Sequence, residues 1–280
     1  MLGNLLNSVL KRKPAQPAFT ANQVVRKLSL EFPQPTLPAP SIHWDHTVHL
    51  KQLANLPTNA LAGPVQEDKA QAYRYLKQIV VAETQTLDSF DLREVYGLNH
   101  QQDKLYLYDS WEAMAQSPLC RQVRIISMRD YNRVLSAVIS KQRPAQLLST
   151  AWNPDNVYWH SDHNCHALIA ALVYARRREL AINMPALHQR THIRTAAVKE
   201  LQKHYHTLCM PAEAWSDPAF MDYLVTYKLP YVRFRLAFGE RSMQVILLPR
   251  SHPDSNMFGS GLYKAGAYEL TDFLLQLASA

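Results

Sequence analysis

Glycine is scarce in this chain of 280 residues, which contains only 7. Nucleotide-binding folds built on glycine-rich loops need glycines in one short segment, because the backbone there must approach the phosphates closely. The sequence therefore argues against that class of fold. Proline is more common, with 17 residues, and its fixed φ predicts many short elements joined by rigid connections.

Cysteine is also rare, and its three positions, Cys120, Cys165 and Cys209, are widely spaced. This pattern fits neither a disulfide framework nor a zinc ribbon, so it predicts a reducing compartment. No apolar run approaches the length of a membrane-spanning helix, and the first residues, MLGNLLNSVLKRK, place their charges after the apolar run, the reverse of a secretory signal. We therefore expect a cytoplasmic protein without a membrane partner.

Long blocks of like charge are absent too, since none exceeds the three arginines at 176–178. The chain is nevertheless basic, with a formal net charge of +7. A basic balance favours acidic partners, such as nucleic acid or a phosphate-bearing small molecule. A DNA- or protein-binding role without catalysis would be favoured if one continuous surface carried Arg121, Arg124, Arg129, Arg133, Arg233 and Arg235.

The segment WHSDHNCHALIAALVYARRR, residues 159–178, joins a polar cluster to the most apolar stretch of the chain. The residues from 164 to 175 include no glycine or proline, and this predicts a helix over 164–178 that is buried on nearly all sides. Ser161 and Asp162 are good N-cap residues, and the arginines at 176–178 suit the negative end of the helix dipole. The polar cluster should therefore lie at a helix N-terminus.

The whole pattern predicts an α+β fold of one domain, in which a mixed sheet packs around the helix near 164–178. A C-terminal β-hairpin and a closing helix over 268–278 should complete it. We expect an N-terminal amphipathic segment and proline-rich strap over 1–60, followed by the α+β domain over 61–280. Residues 41–53, SIHWDHTVHLKQL, resemble an edge strand or a docking segment.

Further elements follow from periodicity and capping signals. Helices are predicted at Asp68 to Val81, after Ser110, and at Asp130 to Ser140, Thr195 to His206 and Pro218 to Lys228. Strands are predicted at Lys104 to Tyr108, Arg121 to Met128, Gln146 to Thr150, Asn156 to Trp159 and Met184 to Arg194, with a turn at 153–155. The hairpin strands are Tyr231 to Phe238 and Arg241 to Leu248, joined by a turn at Gly239-Glu240.

The stretch DHNCHALIAA, residues 162–171, resembles the DGHHRLAAA-type segment of the ParB-like or sulfiredoxin-like domain. Asp162 and the pair Ala170-Ala171 agree with that pattern, whereas His163 replaces a glycine and His166 replaces the phosphate-binding arginine. The resemblance implies that the N-terminus of this helix holds nucleotide phosphates.

A second resemblance covers more of the chain, from His160 through LPYVRFRLAF and MQVILLPR to the last helix. This part is similar to an uncharacterised bacterial family with a GSHHFAAARY-type segment. The resemblance implies a bacterial cytosolic origin and an important role for residues 162–171. It implies no activity and no cofactor.

Four hypotheses remain open for the polar cluster, and the sequence does not decide whether the protein is an enzyme. A phosphate or nucleotide could be held by the helix N-terminus with Asp162, His163, Asn164, His166 and Arg190. Cys165 could be the nucleophile of a papain-like hydrolase with His188 or His192 as base. His160, His163 and His166, with Asp162, could hold a metal. In the fourth, Cys165 packs in the core and the histidines hydrogen-bond to backbone groups.

Overall fold

The computed structural model describes residues 30–100, 103–139, 143–160, 165–238 and 241–280. The described residues form the predicted α+β fold, with two sheets and ten α-helices. The strands are β1 (Val80–Asp91), β2 (Gly97–Asn99), β3 (Ala145–Thr150), β4 (Asn153–His160), β5 (Asn183–Ile193), β6 (Tyr205–Met210), β7 (Val232–Phe238) and β8 (Arg241–Pro249). The helices are α1 (Lys51–Ala54), α2 (Gln66–Leu76), α3 (Trp111–Ala115), α4 (Pro118–Gln122), α5 (Met128–Val138), α6 (Cys165–Arg177), α7 (Thr195–His204), α8 (Pro218–Thr226), α9 (Pro253–Lys264) and α10 (Leu270–Ser279).

The larger sheet is mixed and has the strand order β1-β5-β3-β4-β2. β5 runs antiparallel to β1 and parallel to β3, while β4 is antiparallel to β3 and parallel to β2. The smaller sheet is antiparallel, with the order β6-β8-β7. Its strands β7 and β8 are the predicted C-terminal hairpin, whose turn at 239–240 lies outside the described residues.

The predicted central helix is confirmed as α6. Leu168, Ile169 and Leu172 are fully buried, because α3, α4 and α5 pack against α6 while Leu147 and Trp159 of the larger sheet lie in the same core. Apolar residues nearly all round a helix require partners on several sides, and this packing supplies them.

The three arginines at the carboxyl end of α6 were predicted only to complement the helix dipole, but one of them also makes contacts inside the protein. Arg176 turns into the protein, where its guanidinium donates to the carbonyl oxygens of Arg93 and Val95 and lies 4.8 Å from the ring centroid of Trp111. Arg177 and Arg178 remain exposed. The cation therefore ties α6 to the segment before β2 as well as complementing the helix dipole.

The smaller sheet is buried on both faces. Tyr205 and Cys209 of β6 face a core shared with α2, α7 and α10, while Leu208 and Met210 face a core shared with α8 and α9. The long antiparallel pair β1 and β5 connects the larger sheet to the smaller one. Val80 of β1 and Ile193 of β5 belong to the core that β6 shares with α2, α7 and α10.

Two of the predicted strands are wrong. Lys104 to Tyr108 is a 3-10 turn at Asp103–Leu107 and not a strand, and Arg121 to Met128 is the end of α4 followed by irregular chain. Ser117 caps α4 with proline in its first turn, and a capping box of Ser127 and Asp130 starts α5, so capping overrides the apparent alternation.

The turn between β3 and β4 lies at 151–152, because Thr150 pairs with Asn153, and not at 153–155. Residues 41–53 form a 3-10 turn at Trp44–His46 and then α1, so the edge-strand alternative is also wrong. A single bridge from His43 to Leu98 holds this segment against β2, as expected of a docking segment.

The burial of α6 leads to a stability prediction. Leu172→Ala should lower the free energy of unfolding by about 2–5 kcal/mol, because it leaves a cavity in a packed core. Leu107→Ala, at a side chain that is 79% exposed, is the matched control and should cost less than about 0.5 kcal/mol. Denaturant unfolding of both variants measures this, and equal losses would show that α6 is peripheral.

Candidate functional site

The predicted site lies at the amino end of α6, where Cys165 is the first described residue of the helix and His166 follows. Asp162, His163 and Asn164 lie outside the described residues, so their predicted ligand-binding roles stay predictions. His166 is partly buried, and burial lowers the pKa of its imidazole. The described part of this end of the helix consists of Cys165, His166 and the residues that approach them.

Cys165 is only 1% exposed and belongs to the core around α6. Its neighbour Cys120 is buried as well, and burial raises the pKa of the Cys120 thiol. A nucleophilic cysteine needs access to substrate and a stabilised thiolate. The position of Cys165 therefore favours packing over nucleophilic catalysis.

The two imidazoles predicted as bases have their partners within the larger sheet. His188 Nε2 lies 2.8 Å from Ser149 Oγ on the adjacent strand β3, and burial, aided by the charge of Arg190, lowers the pKa of His188. His192 Nε2 lies 3.7 Å from Glu83 Oε1 on β1. The structure thus spreads these residues along β5, where Arg190 is exposed.

A group of histidines from three distant segments meets near the amino end of α6. We call His43, His46, His100 and His166 the histidine cluster. The rings of His43 and His46 have centroids 5.2 Å apart, and those of His43 and His100 are 5.6 Å apart. His166 is close enough to His100 for its charge to contribute to lowering the pKa of His100.

Hydrogen bonding fixes the tautomer of His43. Its Nε2 lies 2.7 Å from the carbonyl oxygen of Tyr108, which can only accept, so Nε2 carries the proton. The acceptor Nδ1 of His43 then lies 3.4 Å from His100 Nε2. The ring of Tyr106 stacks on His46 and on His100, with centroid distances of 5.0 and 4.8 Å.

Burial determines the charge of the cluster. Both His43 and His100 are only 2% exposed. Burial lowers the pKa of His43, and it lowers that of His100 to about 4, with His43 as the next cause. Because desolvation disfavours the imidazolium, both rings are neutral at neutral pH.

The metal hypothesis rests partly on residues outside the described ranges. Within the ranges that the structure describes, no three His, Cys, Asp or Glu side chains are arranged to hold a metal ion. His160 Nδ1 accepts a hydrogen bond of 2.9 Å from Asn99 Nδ2 on the neighbouring strand. His163, the third residue of that hypothesis, lies outside the described residues.

Sequence reasoning missed the contribution of His43, His100 and Tyr106. The alternating histidines at 43, 46 and 49 are visible in the sequence, but nothing local connects them to residues 57 or more positions away. The parallel pairing of β2 with β4 brings His100 to the end of β4, from which the chain leads into α6. That pairing is a long-range contact, and periodicity does not reveal it.

The fold and the site define an α+β protein in which the amino end of a buried helix lies beside the histidine cluster. The model of a family of unknown function, DUF6685, matches residues 85–280, and the chain belongs to this family. This match confirms the prediction that the chain belongs to an uncharacterised family. Searches among curated proteins and among solved structures found no match. No helix in the described part of the chain is long and apolar enough to cross a membrane.

The buried histidines predict a stability that depends on pH. The pKa of folded His100, about 4, is below the unfolded value of 6.5. The unfolded chain therefore takes up the proton first, and the stability present above pH 6.5 is lost as the pH falls toward 4. We expect His100 to account for a loss of roughly 1–3 kcal/mol over this range.

Denaturant unfolding at several pH values measures this loss. His100→Asn should reduce the pH dependence, whereas His204→Asn, a change of an exposed histidine on α7, should leave it intact. An unchanged pH dependence in His100→Asn would contradict the assignment.

Proposed function

We propose that the chain binds a phosphate-bearing ligand at the amino end of α6. The observation that carries this proposal is the convergence of His43, His100 and His166, from three distant segments, at the first turn of a long buried helix. The resemblance to the ParB-like or sulfiredoxin-like domain remains a prediction, and it points to the same end of the helix.

The physical argument begins with the helix. The N–H groups in the first turn of an α-helix have no partner within the helix, and the helix dipole favours an anion at that end. The basic balance of the chain, +7, attracts anions as well. Arg190, which was predicted to bind the ligand, lies on β5, where Glu83 of β1 and Ser149 of β3 are its register partners. The proposal does not need Arg190.

The lowered pKa of His166 means that the proposal couples ligand binding to proton uptake. Burial lowers the pKa of His166, so its imidazole is largely neutral in the unliganded protein at neutral pH. A phosphate dianion nearby would raise that pKa, because it stabilises the imidazolium. Ligand binding should therefore take up a proton over the pH range in which the free phosphate is a dianion, and within that range affinity should increase as the pH falls.

Isothermal titration with inorganic phosphate, AMP and ATP, at pH about 7.5 and about 6, tests the proposal. Affinity should rise by up to about tenfold per pH unit for each proton taken up. His166→Ala should remove this gain and weaken binding, while the matched change His204→Ala should not. Failure of all three compounds to bind, or equal affinities of the two variants, would overturn the proposal.

The same titration distinguishes the metal hypothesis. Metal binding requires unprotonated imidazoles and releases protons, so affinity for Zn²⁺ should fall as the pH falls. A Zn²⁺ affinity that decreases at low pH and depends on His166, without phosphate binding, would assign the cluster to a metal instead.

A binding role without catalysis is the second candidate, and one exposed stretch of the chain, residues 119–129, favours it. Leu119, Ile126 and Met128 are 45%, 74% and 48% exposed. Arg121, Arg124 and Arg129 are exposed among them, and no acidic residue occurs between Glu112 and Asp130. Exposed apolar side chains among arginines are typical of an interface with an acidic partner.

Arg133 follows this stretch on α5, where it pairs with Asp130 at 2.8 Å. Arg233 and Arg235 belong to β7 of the other sheet, where Arg233 lies 4.3 Å from the ring centroid of Trp215. Oligonucleotide binding that is lost when Arg121, Arg124 and Arg129 become serine, but is unaffected by His166→Ala, would support this candidate.

A further inference from the structure

A polar pocket of about 340 Å³ lies beside the smaller sheet, and its walls include residues of α7, β6, α9 and α10. We call it the Glu269 pocket, after the carboxyl group in its wall. Its charged lining consists of Arg250, Lys264, Glu269 and Asp272, with Gln202 and His206 beside them. None of these residues belongs to the histidine cluster, and no local sequence pattern predicted the pocket.

Glu269 is the unusual member of the wall, because it is a carboxyl group that is only 5% exposed. Its Oε1 accepts a hydrogen bond of 3.0 Å from the Thr207 N–H, and Arg250 Nη2 lies 3.5 Å away. Its Oε2 makes no hydrogen bond to any residue in the described ranges. Burial raises the pKa of Glu269. A carboxyl group in so buried a position is costly to ionise, and a cationic group in the pocket would offset that cost.

Arg250 is fixed in place before any ligand arrives. Its Nε donates to the carbonyl oxygens of Gln202 and Tyr205, at 2.9 and 3.1 Å. These contacts hold the planar guanidinium beside the cavity. A fixed guanidinium loses little entropy on binding a carboxylate.

His206 is fixed as well. Its Nε2 lies 2.8 Å from Asn256 Oδ1, and the imidazole packs directly on Gly259 of α9. A Cβ at residue 259 would come within 2.5 Å of the His206 ring. Glycine in the interior of a helix is unfavourable, so this close approach gives it a structural reason. The wall is therefore preorganised by packing and by hydrogen bonds.

The charges in the wall are balanced, with Arg250 and Lys264 opposing Glu269 and Asp272. A ligand of a single charge sign would meet two like charges, whereas a ligand with both signs would find a partner for each. We propose that the Glu269 pocket binds a free α-amino acid as its zwitterion. The ammonium group faces Glu269 Oε2, and the carboxylate is held by Arg250 and Lys264.

Thermal unfolding in the presence of each of the twenty L-amino acids, at about 10 mM, tests this proposal with the full chain. A ligand that binds only the folded protein raises its Tm. We expect at least one amino acid to do so. For each such amino acid, the N-acetyl derivative, which lacks the cation, and the amide, which lacks the anion, should bind at least about tenfold more weakly.

Glu269→Gln separates a ligand contact from a structural role. The amide keeps the shape of the side chain and an oxygen that accepts from Thr207, so the unliganded Tm should change little, but it loses the negative charge. Its affinity for the amino acid should fall about tenfold or more. Glu200→Gln, at an exposed carboxyl on α7 outside the pocket, is the matched control and should bind normally.

Three results would overturn the proposal. They are a Tm that no amino acid changes, an N-acetyl derivative that binds as tightly as its amino acid, and equal affinities of Glu269→Gln and Glu200→Gln. If Glu269→Gln does not fold, Lys264→Gln takes its place, because Lys264 is an exposed residue at the end of α9. Lys264→Gln should weaken the amino acid and its N-acetyl derivative alike.

Discussion

The burial of α6 is the constraint on which the rest of the larger sheet depends. A helix that is apolar nearly all round must be covered on several sides, and here the sheet covers one side while α3, α4 and α5 cover the other. Its carboxyl end is tied by Arg176 to the carbonyl oxygens of Arg93 and Val95. A helix held along its length and at its end presents its amino end in one fixed place. The same burial leaves Cys165 inside the core and His166 at the boundary.

His43 and His100 illustrate how burial keeps imidazoles neutral. His43 is locked by the carbonyl oxygen of Tyr108, and His100 is so desolvated that its pKa is about 4. Such rings cost less to bury when neutral than when charged, so the folded protein keeps them deprotonated. An anion at the adjacent amino end of α6 would instead stabilise the protonated imidazolium. Proton uptake is therefore a direct thermodynamic consequence of the proposed ligand, and it distinguishes an anion from a metal.

Local signals predicted much of the fold, whereas long-range contacts determined the parts that were missed. The unbroken apolar run of α6 and the hairpin of β7 and β8 were predicted because each is specified within one short segment. Strand β6 was missed because it is buried on both faces and shows no alternation, and β1 because its residues 82–86 are exposed on both faces. The site was predicted only in part. Contacts such as His43 with His100, or Arg250 with Glu269, join segments that no local pattern connects.

Imidazole NMR of the histidine side chains tests the central claim most directly, because it reports both the tautomer and the pKa of each ring. The account predicts that His43 carries its proton on Nε2, and that His100 stays neutral until the pH approaches about 4. It also predicts that phosphate shifts the titration of His166 to higher pH. If His100 titrates near the ordinary value of 6.5, with both tautomers of His43 populated and no response to phosphate, the cluster is solvated and the account is contradicted.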